Sequence, residues 1–113
     1  MKSLLPSLRE KKRYVVFEVI GDASLQKASA EIMRSASKLL GDLGMSKANI
    51  RFMNERFDPG LKKGVLRVNR KYVDHAKAAM ALVNQDFTIK TAGVSGTLKK
   101  ACLKFMKKLN QEG

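Results

Sequence analysis

The order of two apolar periods along this chain constrains its fold more than any other feature. Segments rich in β-branched and aromatic residues, which favour strands, alternate with segments whose apolar residues recur every three or four positions, which is the spacing of a helix. The first strand is predicted over Arg13–Ile20 (RYVVFEVI), with Val15, Phe17 and Val19 on one face. Since its other face is also largely apolar, we expect this strand to be central in a sheet.

Six further elements follow the first strand. The predicted strands are Ile50–Phe57, Gly64–Arg70 and Phe87–Ala92, and the predicted helices are Ser24 to about Leu43, Tyr72–Val83 and Thr97–Leu109. The first helix is expected to bury Leu25, Ala28, Ile32, Ala36, Leu39 and Leu43. The β-α-β-β-α-β order followed by a basic helix predicts an α+β fold, a two-layer ferredoxin-like (RRM-like) sandwich. Two helices cover one sheet face, and the other face is solvated, binds a ligand or is covered by the last helix.

The length of 113 residues fits one domain, which we divide into a basic arm over residues 1–12 and a single domain over residues 13–113. The lone cysteine, Cys102, permits no internal disulfide and no cysteine-based zinc site. Its position on the apolar stripe of the last helix predicts a buried thiol. No apolar run approaches the roughly 18–20 residues of a membrane span, and no secretory signal is visible. We therefore expect a cytoplasmic protein without a membrane partner.

The net charge of +13 is concentrated at the two ends of the sequence. Residues 1–13 carry five basic groups and one acidic group, residues 14–60 carry six of each, and residues 61–113 carry twelve basic and three acidic groups. Charge clustered in this way favours contacts with phosphates, which give salt-dependent affinity with little sequence discrimination. Solubility alone would not require one sign so strongly.

The strongest local signal is the segment GVSGTLKKA at residues 93–101. A strand is predicted to end there and a helix to begin at once, so free N–H groups and the positive end of the helix dipole point outward. Ser95 and Thr97 offer hydroxyls, Gly96 permits close backbone approach, and Lys99 and Lys100 add charge, which together suit a phosphate. The same residues are as typical of a capped helix start whose glycines serve the turn.

The remaining candidate contacts lie in the arm and on the third strand. A basic segment anchored on a sheet suits tracking of a nucleic-acid backbone, although a solvated terminus has the same composition. RNA-recognition modules of this topology stack bases on aromatic residues of the two central strands, whereas Tyr14 is the only ring at the matching positions here, which favours backbone or shape recognition. Arg67 and Arg70 are either contacts or solvated charges. The predicted RNA contacts are Arg9, Lys11, Lys12, Arg13, Arg67, Arg70, Ser95, Gly96, Thr97, Lys99, Lys100 and Lys104.

No catalytic constellation is visible in the sequence. His75 is the only histidine, and Asp74 beside it points to a different helix face, so a solvated histidine is expected. No carboxylate cluster suggests a two-metal nuclease site, and the glycine spacing differs from that of a phosphate loop. An acylphosphatase-type enzyme of the same topology would need an arginine in the loop after the first strand, which reads Gly21-Asp22-Ala23 instead. We expect no catalytic residue and no metal or cofactor bound by the protein.

Three segments resemble the archaeal ribonuclease P protein component 2 family. They are LREKKRYVVFEV at residues 8–19, GVLRVNR at residues 64–70 and GVSGTLKKA at residues 93–101, and the likeness extends in order over nearly the whole chain. The resemblance implies a ferredoxin-like sandwich that assists a catalytic RNA in removing 5′ leaders from precursor tRNA. It implies as partners the ribonuclease P RNA and a barrel-shaped protein subunit, protein component 3, in an assembly built around paired copies of this protein. Mg²⁺ ions held by the RNA, rather than protein residues, would then supply the chemistry.

The leading hypothesis is therefore an RNA-binding subunit of ribonuclease P, which is an endoribonuclease only as the assembled holoenzyme. One alternative is a non-catalytic protein-interaction scaffold that uses the open sheet face or the apolar stripe of the last helix. Another is a ribosomal or other module of the same fold that binds an RNA backbone.

Overall fold

One antiparallel sheet of four strands, in the order β2–β3–β1–β4, organises the molecule. The structure is a computed structural model, and it describes residues 11–105. The strands are β1 (Lys12–Gly21), β2 (Arg51–Phe52), β3 (Lys63–Asn69) and β4 (Phe87–Ser95), and the helices are α1 (Leu25–Ala48), α2 (Val73–Ala81) and α3 (Leu98–Phe105). Short 3₁₀ turns occupy Asn54–Arg56 and Arg70–Tyr72. The predicted ferredoxin-like sandwich is confirmed.

The main core lies between the sheet and the helices α1 and α2. Alternate residues of β1 point into it, as the period of two requires. The Ser24 hydroxyl caps α1 by accepting a hydrogen bond from the backbone N–H of Lys27, at 3.2 Å. The buried members of this core include Val15, Phe17, Val19, Ala28, Ile32, Leu66, Val68, Ala76, Met80, Val83, Phe87 and Ile89.

The opposite sheet face is covered by α3. Val16 of β1 and Val65 of β3 are buried there together with Ala101 of α3. The ring of Phe105 lies directly on Gly93, since a Cβ atom at that glycine would overlap the ring. Lys63 secures the same end of the helix, because its Nζ donates to the carbonyl oxygen of Phe105 at 3.0 Å. Of the three possibilities for this face, the structure shows the third.

The pairing of β1 with β3 depends on one close aromatic contact. Phe17 is paired with Gly64, and a Cβ at Gly64 would lie 2.7 Å from Cζ of the Phe17 ring. Only a residue without a side chain leaves room for the ring at this register. The same ring meets Phe52 of β2 edge to face, with ring centroids 5.9 Å apart. Phe17 therefore fixes three strands relative to one another.

The second and fourth strands differ from their predicted lengths. β2 has only two residues instead of the eight of Ile50–Phe57, because the chain enters a 3₁₀ turn at Asn54 after Met53 packs beside α3. β4 continues beyond its predicted end at Ala92 to Ser95. The extension follows a shift of register, since Phe17 pairs with Thr91 and Val16 with Gly93. The residue between them is an extra, bulged position.

The first helix also departs from its predicted path. It runs to Ala48, with a break at Gly41 where φ is 74°, a conformation that costs glycine little. Leu39 and Leu43 were predicted to be buried, but they are 44% and 70% exposed. The inward positions recur every four residues and lead to Leu40, so Leu39 falls one position off the stripe. The Gly41 break then removes Leu43 from the periodicity altogether.

Candidate nucleic-acid interface

The register of the sheet brings the two basic ends of the sequence to one place. Lys12 at the start of β1 pairs with Asn69 at the end of β3, and the N–H of Arg70 donates to the carbonyl oxygen of Lys11 at 2.9 Å. Tyr14 pairs with Ser95, the last residue of β4, and α3 begins three positions later. We call this end of the sheet, formed by residues 11–14, 67–71 and 95–100, the basic end. A fold in which the first strand lies between the third and the fourth necessarily builds it.

Most predicted contacts lie at the basic end with their side chains at least partly accessible. Lys104 lies one turn further along α3 than Lys100, and Arg9 lies outside the described residues. Arg13 points to the sheet face that α1 and α2 cover. Its guanidinium folds back to donate to the carbonyl oxygen of Lys12 at 3.0 Å. The exposed members are Lys11, Arg70, Gly96, Thr97, Lys99, Lys100 and Lys104, and the half-buried ones are Lys12, Arg13, Arg67 and Ser95.

A row of cross-strand neighbours without any acid crosses the basic end. Arg51 of β2 pairs with Arg67 of β3, Arg67 with Tyr14, and Tyr14 with Ser95. Directly paired residues point to the same face, which here is the face that α3 partly covers. We call this the arginine row. Glu18, four residues after Tyr14 in β1, lies on the same face and pairs with Lys63 on one side and Lys90 on the other. Charges therefore alternate in that row.

Arg67 is not the simply solvated charge that one interpretation of the sequence allowed. Its side chain is half-buried, and its Nε is fully buried with no hydrogen-bond acceptor among the described residues. Within residues 11–105 one ion pair forms, between Arg34 and Glu31 of α1 at 3.6 Å, so no cation of the basic end is neutralised by a carboxylate there. An unpaired buried donor lowers the stability of the fold.

The start of α3 satisfies part of the capping interpretation. The Thr97 hydroxyl accepts from the N–H of Lys100 at 3.1 Å, and the Ser95 hydroxyl accepts from the N–H of Thr97 at 3.5 Å. Both hydroxyls keep a hydrogen atom that can be donated to a phosphate. Gly93 is needed for the Phe105 ring, whereas a Cβ at Gly96 would meet nothing within 4 Å and its φ is not positive. The fold therefore gives no reason for glycine at position 96.

Sequence reasoning did not include Arg51 among the contacts. It lies in a short edge strand that was predicted from a mixed composition, and its relation to Arg67 depends on the β2–β3 register. Strand composition alone does not specify register. The basic residue itself was visible in the sequence, but its pairing with Arg67 was not.

The single histidine and the single cysteine of the described residues lie on different helices. His75 is exposed on α2 and its ring lies 5.2 Å from that of Tyr72, while Cys102 is half-buried, rather than buried, in the α3 cluster. In residues 11–105 no three His, Cys, Asp or Glu side chains converge on a point that could hold a metal ion. None of the helices in the same range combines the length and apolar character needed to cross a membrane.

A second surface lies on the opposite layer, where α1 meets the end of α2. A cleft of about 320 Å³ is lined by Leu39 and Leu82 together with Ser35 and Gln85. Leu82 is 64% exposed and Leu39 is 44% exposed. We call these two side chains and the cleft the leucine cleft. Of the surfaces predicted for a protein-interaction scaffold, the apolar centre of the open sheet face and the apolar stripe of α3 cover each other.

Comparison with known proteins identifies relatives over almost the whole chain. The sequence pattern of the Rpp14/Pop5 family matches residues 13–106. Ribonuclease P protein component 2 of Pyrococcus abyssi is 38% identical, covering 94% of this chain and 93% of the relative. The protein of the same name from Pyrococcus horikoshii is 37% identical, covering 96% and 93%. That from Methanosarcina mazei is 41% identical, covering 94% and 93%.

A solved structure supports the fold independently. A chain in the cryo-EM structure of yeast ribonuclease MRP superposes with a TM-score of 0.50, covering 79% of this chain and 76% of that chain. The sequence identity is 16%, so this likeness concerns the fold alone.

Proposed function

Because this chain belongs to the Rpp14/Pop5 family, we propose that it is an RNA-binding protein subunit of ribonuclease P, which removes 5′ leaders from precursor tRNA. The names of its relatives support this function. The observation that carries the RNA-binding part is the basic end, where cations from both ends of the sequence meet without a carboxylate partner among the described residues. The proposal includes a cytoplasmic location, which cell fractionation would test.

The mechanism that we propose is neutralisation of RNA phosphates. The active conformation of a folded RNA brings phosphates close together, and cations held on a rigid sheet offset their repulsion. Lys99 and Lys100 extend from the start of α3, where the helix dipole adds positive potential. Mg²⁺ held by the RNA supplies the chemistry of cleavage, and this chain stabilises the conformation that binds it.

Cleavage of precursor tRNA by the reconstituted holoenzyme tests this function. Adding the chain to the RNA and the other protein subunits should lower the Mg²⁺ concentration that cleavage requires. The double variant Lys99→Glu, Lys100→Glu should raise it again, because it reverses charge at the helix start. The matched control is Arg56→Glu, Lys77→Glu, which changes net charge equally at exposed positions outside the basic end. Identical cleavage with and without the chain would refute the proposal.

We propose that the protein partner is the barrel-shaped protein component 3 and that two copies of this chain occur in the assembly. The leucine cleft supports a protein contact, since exposed leucines at a cleft are typical of interaction surfaces. Leu39→Glu and Leu82→Glu should weaken binding to component 3 or dimerisation, measured by size-exclusion chromatography with light scattering, and leave RNA binding intact. Leu103→Glu, at an exposed leucine on α3, is the control.

A protein-interaction scaffold remains the second candidate function, and the leucine cleft is the observation that favours it. The two sets of variants separate the candidates. If Lys99→Glu, Lys100→Glu leaves holoenzyme activity unchanged while Leu82→Glu abolishes it, the chain acts as a scaffold. The reverse result supports the RNA-binding subunit.

A further inference from the structure

The arginine row contains two arginines on the same face of the sheet. Arg51 and Arg67 are direct cross-strand neighbours, so their Cβ atoms lie about 5 Å apart. Like charges at this distance repel, and such pairs weaken a sheet unless something lies between them. Elsewhere on the same face, the carboxylate of Glu18 lies between Lys63 and Lys90 and separates the two positive charges.

Burial of part of its guanidinium fixes the position of Arg67. The Nε of Arg67 is fully buried and has no acceptor among residues 11–105, so part of the guanidinium has lost water without gaining a partner. Arg51 next to it is exposed, on the edge strand of the sheet. One arginine is therefore fixed by its surroundings, and the other is free to close on a ligand from the solvent side.

The spacing of the two arginines suits a small anion. A guanidinium presents parallel N–H donors that match the oxygens of a carboxylate or a phosphate. Two such groups about 5 Å apart at the Cβ atoms can hold one tetrahedral anion with two accessible oxygens. Tyr14 and Met53 lie on the same face and pack against the α3 cluster, which limits the space around the two arginines.

The surroundings distinguish RNA from a protein carboxylate. Lys12 shares the face of the row, two residues before Tyr14 in β1, and Lys11 and Arg70 lie at the same end of the sheet. A single carboxylate from a protein would leave these cations uncompensated. A polymer with one phosphate in every repeat neutralises the row and its neighbours together.

We propose that Arg51 and Arg67 hold a single phosphodiester group of the RNA between them at the β2–β3 edge of the sheet. The inference rests on the proposed RNA-binding function and assigns to it a specific seat, which includes a residue outside the predicted contacts. The seat reads no base, because both guanidinium groups are engaged by phosphate oxygens. It fixes where the RNA backbone crosses the sheet.

The test measures binding of the full chain to its ribonuclease P RNA over a range of salt concentrations. Arg51→Gln and Arg67→Gln should each weaken binding about tenfold, the loss expected when a charge-assisted hydrogen bond is removed. The double variant should lose less than the product of the two single losses, because both side chains serve one ligand. Its slope of log K against log salt should fall in magnitude by about 0.7–0.9, the value for one phosphate. Arg56→Gln, at an exposed arginine on the 3₁₀ turn, is the matched control.

Two further measurements keep the result interpretable. Arg67→Lys retains the charge but not the fork, so its affinity should lie between those of the wild type and Arg67→Gln. The free Arg51→Gln protein should melt at the same temperature as the wild type or higher, because the variant removes a repulsion. A lower melting temperature for Arg51→Gln would refute the repulsion on which the argument depends.

The outcomes separate this seat from the function beneath it. If both glutamine variants bind RNA within twofold of the wild type while Lys99→Glu, Lys100→Glu does not bind, the seat is refuted and RNA binding stands. Multiplicative losses with twice the change in salt slope would show two separate phosphates and overturn the shared seat. Loss of component 3 binding with unchanged RNA affinity would assign the pair to a protein carboxylate. If the wild type itself does not bind the RNA, the proposed function fails.

Discussion

At the scale of single residues, the glycines of this protein differ in whether the structure requires glycine at their positions. Gly93 makes room for a ring, Gly41 adopts a positive φ, and Gly96 does neither. The sequence presents Gly93 and Gly96 as an equivalent pair flanking Val-Ser. Only the position of Phe105 distinguishes them.

A pair of alanine substitutions tests this distinction. Gly93→Ala should lower the free energy of unfolding by about 1–3 kcal/mol, because the new Cβ overlaps the Phe105 ring and overpacks the α3 cluster. Gly96→Ala should change it by less than about 0.5 kcal/mol, since open space surrounds the position. Urea denaturation of both variants measures the difference. Equal effects of the two substitutions would contradict the described seat of Phe105.

Burial makes a similar prediction for two leucines. Leu66 is 0% exposed in the main core, and Leu103 is 58% exposed on α3. Leu66→Ala should cost about 2–5 kcal/mol of unfolding free energy through lost burial and the cavity left behind. Leu103→Ala should stay within about 0.5 kcal/mol of the wild type. Thermal denaturation followed by circular dichroism provides the measurement, and a comparable loss in both variants would mean that α3 is packed differently.

At the scale of elements, the two capped helices differ in what they support. α1 is packed on the main core, whereas α3 covers the second face by a small cluster centred on Val16, Val65 and Ala101. Local openings involve the elements with the fewest buried contacts. Loss of a cap should therefore have a global effect in α1 and a local effect in α3.

The caps themselves provide the comparison. Ser24→Ala and Thr97→Ala each remove a hydroxyl that accepts a backbone N–H, an interaction worth about 0.5–2 kcal/mol. Ser24→Ala should lower the melting temperature of the whole protein. Thr97→Ala should instead speed hydrogen exchange of α3 amides and leave the exchange of β1 and β3 amides near that of the wild type. Uniform acceleration throughout the sheet in Thr97→Ala would show that α3 does not open separately.

The sequence predicts the elements better than it predicts their relations. The type and order of every main element follow from apolar periodicity, and Ala76 and Met80 of α2 are buried at the four-residue spacing of a helix. The covering of the second face by α3 could not be derived, because an apolar strand face and an apolar helix stripe do not specify each other as partners. The end of β4 was missed for a related reason, since a bulge depends on the register of the neighbouring strand.

For the candidate site, too, the sequence predicts the components but not their arrangement. Its basic composition, the arm and the start of α3 are visible in the sequence. The convergence of Lys11 with Arg70 and the pairing of Arg51 with Arg67 arise from strand register, which no composition records. The roles of the predicted contacts stay predictions until binding is measured.

At the scale of the whole molecule, the sheet concentrates positive charge at one of its two ends. The basic end gathers cations from both ends of the sequence, whereas the opposite end, where β1 finishes and β4 begins, carries acids such as Asp22 and Asp58 together with Lys62 and Lys63. Concentrated charge of one sign destabilises the free protein through self-repulsion and favours an anionic partner.

Salt should therefore act in opposite directions on folding and on binding. Raising ionic strength from about 0.01 M to 0.15 M shortens the Debye length from about 30 Å to 8 Å, so the cations of the free protein repel one another less. The melting temperature of the free chain should rise by several degrees, since about 1 kcal/mol corresponds to about 4–8 °C in a domain of this size. RNA affinity should fall over the same range. Lys99→Glu, Lys100→Glu should weaken both responses, and a free protein that melts lower in salt would contradict the account.

The contact between Phe17 and Gly64 has a consequence for how damage to this protein would be diagnosed. A slip of one residue between β1 and β3 would turn every side chain of the shifted strand to the other face. The Phe17 ring, which fixes the register in the core, therefore also determines where the arginines of these strands lie on the surface. A substitution at Gly64, with no exposed atom changed, would misdirect Arg67 and present itself in an assay as a loss of RNA affinity. Core packing and the position of surface arginines are therefore coupled through strand register. A screen for RNA-binding defects would consequently also identify substitutions of core residues.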